Sequence, residues 1–149
     1  MELKAFPDKD KIVLKPAFEK RYRGFLGDRF DEYLKYSLSY LTRSIRVNTL
    51  KASVKDVKER LEALGWKLEQ IPFCKEGFWV EHNTGRLDIG NTREHTIGYY
   101  YVQEAASMIP PIVLDPKPGE FVLDMCASPG SKTTQISQYM ENEGILISN

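Results

Sequence analysis

The chain has 149 residues, 42% of them hydrophobic and 11% aromatic, which is enough for a packed core, and its 21 Lys and Arg balance 21 Asp and Glu. No run approaches the ~18 apolar residues of a membrane span, and Met1–Lys11 lacks the apolar centre of a signal peptide, so no membrane partner and a cytoplasmic location are expected. Cys74 and Cys126 are too few for a disulfide framework or, by themselves, a zinc site, and no metal is expected.

The neutral total hides an asymmetry. Residues 1–60 carry 15 Lys and Arg against 9 Asp and Glu, while residues 61–149 carry 6 against 12. A basic N-terminal part suits a phosphate backbone, and an ordinary solvated surface accounts for it equally well.

After a polar start, residues 12–41 read as helical. Phe18, Tyr22, Phe25 and Leu26 fall on one spacing and Phe30, Tyr33, Leu34 and Leu38 on another, with Gly24 and Gly27 as interruptions. Lys15, Lys20, Arg21, Arg23 and Arg29 surround the apolar face as solvated charge or as RNA contacts. Ser44–Lys51, with its β-branched Ile45, Val47 and Thr49, reads as a strand. Ser53 then caps a helix whose Val54, Val57, Leu61 and Leu64 share a face, and Gly65 stops it. Two further strands are expected at Trp66–Ile71 and Gly77–Glu81, joined by a turn at Pro72–Glu76. This β-α-β-β run is half or more of a ferredoxin-like or RNA-recognition-like (RRM-like) domain. Phe73, Phe78 and Trp79 could stack bases, although their alternation favours packing in the core.

His82–Ile97 is rich in turn formers, and a domain boundary is placed there, dividing residues 1–97 from 98–149. A short extended piece, Tyr99–Gln103, precedes a helix from about Glu104 to Leu114. The Asp115–Glu120 loop, DPKPGE, stops that helix. Phe121–Cys126 reads as a buried strand, and Pro129-Gly130 as a tight turn. A helix over about Lys132–Met140 follows, and the Ile145–Asn149 segment is a second strand parallel to the first. The overall class is α/β: N-terminal helices, a small α+β domain, then the first β-α-β of a Rossmann-like domain.

The chemistry concentrates in Phe121–Thr134, FVLDMCASPGSKTT. Strand, small-residue loop and helix bring backbone N–H groups at a helix N-terminus to a ligand, and Gly130 permits close backbone approach. Asp124, at the strand's end, is placed to accept from a cationic group such as an α-ammonium. A triphosphate-binding loop is excluded, because Cys126 and Ser131 stand where that loop needs glycines.

With these residues in view, the stretch resembles motif I, D-x-C-A-(A/S)-P-G-(G/S)-K-T, of the RNA cytosine-5 methyltransferases of the Nol/Nop/Sun family. Ser44-Ile45-Arg46-Val47-Asn48-Thr49-Leu50-Lys51 and Tyr99-Tyr100-Tyr101-Val102-Gln103-Glu104-Ala105-Ala106-Ser107 resemble that family's markers, in the same order over about 90 residues. The finer likeness is to the archaeal and eukaryotic transfer-RNA enzymes more than to the bacterial ribosomal ones. The resemblance implies S-adenosyl-L-methionine as cofactor, RNA (by the finer likeness tRNA) as partner, and an RNA-facing domain ahead of the catalytic one. It assigns cofactor contacts to Cys126, Ala127, Ser128, Pro129, Gly130, Ser131 and Lys132, with Asp124 in support. Lys132 in such enzymes points toward the target base, against a plainer role in capping and solvation.

Methylation at carbon 5 of cytosine needs a thiolate attack at carbon 6, and the family's nucleophiles stand in Pro-Cys and Thr-Cys contexts. Cys74 follows Phe73 and Cys126 follows Met125, so neither matches. No catalytic residue is therefore expected within these 149 residues, and the chain alone is expected to be inactive. The rest of a methyltransferase domain, or another chain, is expected to cover the open edge of the second sheet. A reading of another class is a non-catalytic RNA-binding or regulatory module whose Rossmann-like end serves only for packing.

Overall fold

The computed structural model describes residues 3–149, which form two compact units, 3–42 and 43–149. In the first, α1 (Pro16–Leu26) and α2 (Phe30–Ser37) are joined by a 3-10 turn at Gly27–Arg29. Proline at the first turn suits α1, because its missing N–H is unneeded there. Gly27 ends α1 at φ 53°, as expected of a glycine stop. Gly24 does not interrupt; it lies inside α1, since a lone glycine in a helix costs only about 1 kcal/mol. The two helices meet through aromatic rings, with Tyr22 stacked on Tyr33 at 5.4 Å and Phe30 fully buried. Phe25, expected on the apolar face, is instead 72% exposed with Arg21 over its ring.

The second unit opens with β1 (Ser44–Val47), followed by α3 (Val54–Ala63), β2 (Trp66–Gln70) and β3 (Gly77–His82). The Ser53 side chain accepts from the Asp56 amide at 3.1 Å, which makes it the N-cap of α3. After the short α4 (Arg93–Thr96) comes β4 (Tyr100–Val102), which pairs antiparallel with β1. The strand order is β2-β3-β1-β4, every neighbour antiparallel, so β4 completes a β-α-β-β-α-β unit. The expected division at residue 97 therefore passes between the third and fourth strands of one sheet. Ile45, Val47, Val57, Leu61, Phe78 and Val80 are the centre of its core, on the α3 side.

The expected helix at Glu104–Leu114 begins as a 3-10 turn, Ala105–Met108, and becomes α5 (Ile109–Leu114) at the two prolines. The remaining elements are β5 (Phe121–Asp124), α6 (Ser131–Tyr139) and β6 (Ile145–Ser148). β5 and β6 pair in parallel from Phe121↔Ile145 to Asp124↔Ser148, as a helical crossover dictates. β5 stops at Asp124, two residues earlier than expected, because the Asp124 carboxylate takes up the Cys126 amide and turns the chain. The expected burial of this strand is also corrected. Phe121 is 78% and Leu123 58% exposed, because α6 covers only the other face of the pair.

Two glycines give opposite expectations. Gly144 has φ 109°, and a Cβ there would collide with the Glu120 carbonyl, so Gly144→Ala should destabilise the second unit by about 2 kcal/mol or more. Gly24 is helical with nothing near its missing Cβ, so Gly24→Ala should stabilise α1 by about 0.5–1 kcal/mol. Urea unfolding of the two variants, compared at unchanged slope, checks both signs.

Candidate cofactor loop

The loop lies where β5 and β6 end and α6 begins, the edge at which parallel sheets place their ligands. Asp124 organises it. One carboxylate oxygen accepts from the Cys126 amide at 3.1 Å and the other from the Thr133 hydroxyl at 2.6 Å, tying the strand to the first turn of the helix. Asp124 was expected to face a ligand ammonium; these bonds occupy part of its acceptor capacity and leave lone pairs on both oxygens. The Ala127 amide donates to the Asn149 carbonyl at 2.9 Å, and the Asn149 amide to the Asp124 carbonyl at 3.0 Å, which fastens the loop to the end of β6.

Gly130 is the N-cap of α6 at φ 100°, with no heavy atom within 4 Å of where a Cβ would stand. No side chain caps the helix, so its first N–H groups are open to an anionic or hydrogen-bond-accepting group. Met125, Cys126, Ser128 and Pro129 are exposed, and Ala127, Gly130, Ser131 and Lys132 half-buried. The open cradle, the free helix N-terminus and the carboxylate beneath them fit a cofactor bearing an amino-acid group. Ser131 belongs to the helix rather than the loop, because α6 starts one residue earlier than expected, and Lys132 stands in the helix as expected.

The back of this site rests on the first sheet. Alternation along β1 sends Ile45 and Val47 to one face and Ser44 and Arg46 to the other, yet all four are buried. Arg46, 2% exposed, donates from Nη1 to the Ser131 carbonyl and from Nη2 to Thr134 Oγ1, both at 3.0 Å. Burial pulls its pKa down to about 10, opposed chiefly by Glu76, so the guanidinium remains a cation at neutral pH. Beside it, the Gln103 amide donates to Gln135 Oε1 at 2.9 Å, and Gln135 in turn donates to the Met108 carbonyl and the Tyr139 hydroxyl. Gly77, opposite Arg46 in the sheet, admits Met108; a Cβ there would come within 2.9 Å of its sulfur.

Sequence reasoning quoted Arg46 and Gln103 within family markers without giving Arg46 a role, and it passed over Thr133 and Gln135. The available signal for Arg46 was a charged residue alternating with Ile45 and Val47 in a strand. The two cysteines lie apart in character. Cys126 is exposed, whereas Cys74 is buried and its thiol is pushed up to about 11 by that burial and by Glu76. Burial raises the Tyr139 phenol as well, and its hydrogen bond to Glu76 adds to the shift. Among the basic residues considered for RNA, Arg23 is engaged with Glu19, Asp31 and the Phe30 ring. Phe78 and Trp79 pack in the cores, and Phe73 remains 45% exposed.

These features predict a difference in thiol chemistry. At pH 8 an aromatic disulfide reagent should titrate Cys126 at once and Cys74 only after unfolding. Both raised acids hold their protons longer in the folded chain than in the unfolded one. For Cys74, stability should be intact below pH 9 and fall as pH rises from 9 through about 11, with Tyr139 acting in the same direction. Urea midpoints measured across that window check the sign.

Comparison with known proteins accords with this geometry. Residues 14–105 match the family model described as the N-terminal domain of 16S rRNA methyltransferase RsmF, and residues 111–149 match that of 16S rRNA methyltransferase RsmB/F. The ribosomal RNA small subunit methyltransferase F of Vibrio campbellii is 50% identical over 111 residues, covering 73% of this chain and 23% of that protein. A tRNA (cytosine(49)-C(5))-methyltransferase of Pyrococcus abyssi is likewise 50% identical, over 123 residues, covering 82% of this chain and 39% of the relative. The archaeal tRNA likeness is thus present, and bacterial ribosomal enzymes match at the same identity. The crystal structure of a methyltransferase homologue from Pyrococcus horikoshii superposes with a TM-score of 0.83 at 40% identity, covering 95% of this chain and 46% of that one. The chain spans about a quarter to two fifths of the length of these curated relatives. It carries the RsmF N-terminal domain followed by the start of the RsmB/F methyltransferase region, and it belongs to this family of RNA methyltransferases.

Proposed function

We propose that this chain is the N-terminal part of an S-adenosyl-L-methionine-dependent RNA cytosine-5 methyltransferase. The observation that carries the reading is the cradle at Gly130, set over the Asp124 carboxylate at the uncapped N-terminus of α6. The uncapped N–H groups at the start of α6 would hold the cofactor, with Cys126–Pro129 lining it and Asp124 orienting both the loop and an ammonium. The cofactor supplies an electrophilic methyl group when bound. The half-buried Lys132, at the helix start, would serve both the cofactor and the target base. Neither cysteine suits the attack on carbon 6. Cys74 is buried with a raised pKa, and Cys126 belongs to the loop.

RNA is the proposed partner, by way of the basic first 60 residues, and tRNA the finer choice, supported by the Pyrococcus relative as ribosomal RNA is by the bacterial ones. A cytoplasmic location goes with that substrate. Division of labour near residue 97 is part of the same proposal, with β4 lent to the RNA-facing sheet. The bare face of Phe121, Leu123, Ile145 and Ile147 fits a further layer of the same domain.

The test is incorporation of labelled methyl from the cofactor into RNA. Residues 1–149 should give none, a protein extended through the later Pro-Cys and Thr-Cys motifs should turn over, and Lys132→Ala in it should cut activity by about a hundredfold or more. Turnover by the short chain, abolished by Cys126→Ala, would return the nucleophile to this loop. Titration of labelled tRNA and ribosomal RNA fragments should show affinity falling steeply with salt, as phosphate contacts release counterions. Salt-independent binding, or binding without turnover in the extended protein, would favour the non-catalytic module.

A further inference from the structure

Arg46 is the most costly residue on the hidden face of β1. Its side chain is 2% exposed, its Nε has no partner, and among the described residues the nearby Glu76 carboxylate acts on it through space without a hydrogen bond. An apolar side chain would fill the same place without the desolvation that a buried cation incurs. Its position also works against the helix. A cation beside an α-helix N-terminus opposes the macrodipole instead of complementing it. The attraction of the buried Glu76 offsets part of that cost and leaves the direction of the two Nη donors to be accounted for.

What Arg46 does hold is specific. Nη1 grips the carbonyl of Ser131 and Nη2 the hydroxyl of Thr134, and that hydroxyl in turn donates to the Gly130 carbonyl at 2.9 Å. A planar two-point fork from the rigid central strand thus fixes three consecutive features of the cofactor cradle: its glycine, its first helical residue and its first full turn. The cation adds positive potential behind the helix N-terminus, which favours the carboxylate of an amino-acid cofactor and, being buried, is little screened by salt.

We propose that Arg46 is a positioning residue, which sets the cradle at Gly130–Thr134 from the RNA-facing sheet and so couples that sheet to cofactor binding. The structural half stands on the bonds described; the coupling to cofactor rests on the functional reading above.

Two variants test it in the 149-residue chain, by amide hydrogen exchange read by NMR. Arg46→Lys keeps a cation near Glu76 but loses the fork, and Thr134→Val keeps the shape but loses the acceptor. The reporter is the Thr134 amide, bonded to the Gly130 carbonyl, and the control is the Val57 amide, bonded to the Ser53 carbonyl in α3. In both variants Thr134 should exchange about tenfold faster or more while Val57 is unchanged, as the loss of charge-assisted bonds at one turn implies. Equal acceleration at both amides would make Arg46 a general stability element, and no change at Thr134 would remove its hold on the cradle; either overturns the proposal. In the extended protein, Arg46→Lys should raise KM for S-adenosylmethionine about tenfold and leave kcat within about twofold, the signature of lost uniform binding. Unchanged KM would overturn the coupling. An extended wild-type protein that transfers no methyl would instead overturn the functional reading, and the exchange comparison would then decide the positioning role by itself.

Discussion

The second unit depends on one strand being buried from both sides. β1 has four residues, and none faces water. Its apolar pair closes the core beneath α3, and its polar pair meets α6 and the Gln103–Met108 segment. The Ser44 hydroxyl donates to the Gln103 carbonyl, Gln103 to Gln135, and Arg46 to α6, so the second contact adds a line of hydrogen bonds to the small apolar cluster of Ile71, Cys74 and Met108. Such a seam tolerates little displacement. A packed methylene can slide by half an ångström at small cost, but a buried amide that loses its partner forfeits about 1–3 kcal/mol.

Geometry at the cofactor loop follows from that seam. Asp124 ties strand, loop and helix from within, and Arg46 holds the same helical turn from behind. The cradle is thus held at two points, and neither belongs to the exposed loop residues that would touch a ligand. This separation lets Ser128 and Pro129 stay exposed while the backbone that carries them keeps its course.

Much of this was legible in the residues. β-branched residues located β1, which ends at Val47 rather than Lys51, strand patterns located β2 and β3, Ser53 announced α3, and the motif around Gly130 announced the strand-loop-helix unit. The departures share a physical origin in tertiary context. Phe121 and Leu123 read as buried because apolar strand residues normally are, whereas the pairing of β5 with β6 supplies cover on one face only. Gly24 reads as a breaker by propensity, and α1 runs through it while Tyr22 stacks on Tyr33 of the next helix. β4 read as a short extended piece, Tyr99–Gln103, but its place in the first sheet declares itself only through its register with β1. Arg46 lay inside a quoted marker, but its partners are more than 80 residues away in the chain, a distance over which no local pattern reaches.

The antiparallel sheet also has a temporal meaning. All four of its strands have been synthesised by Val102, whereas the motif strand begins at Phe121. A ribosome delivers the N-terminal portion first, so the core of Ile45, Val57, Leu61 and Phe78 can close while the partners of Arg46 are still untranslated. During that interval the guanidinium stays hydrated on an open sheet face, and its dehydration coincides with the arrival of α6. The desolvation cost is then met at the docking step, which puts assembly of the candidate cradle after closure of the antiparallel sheet's core.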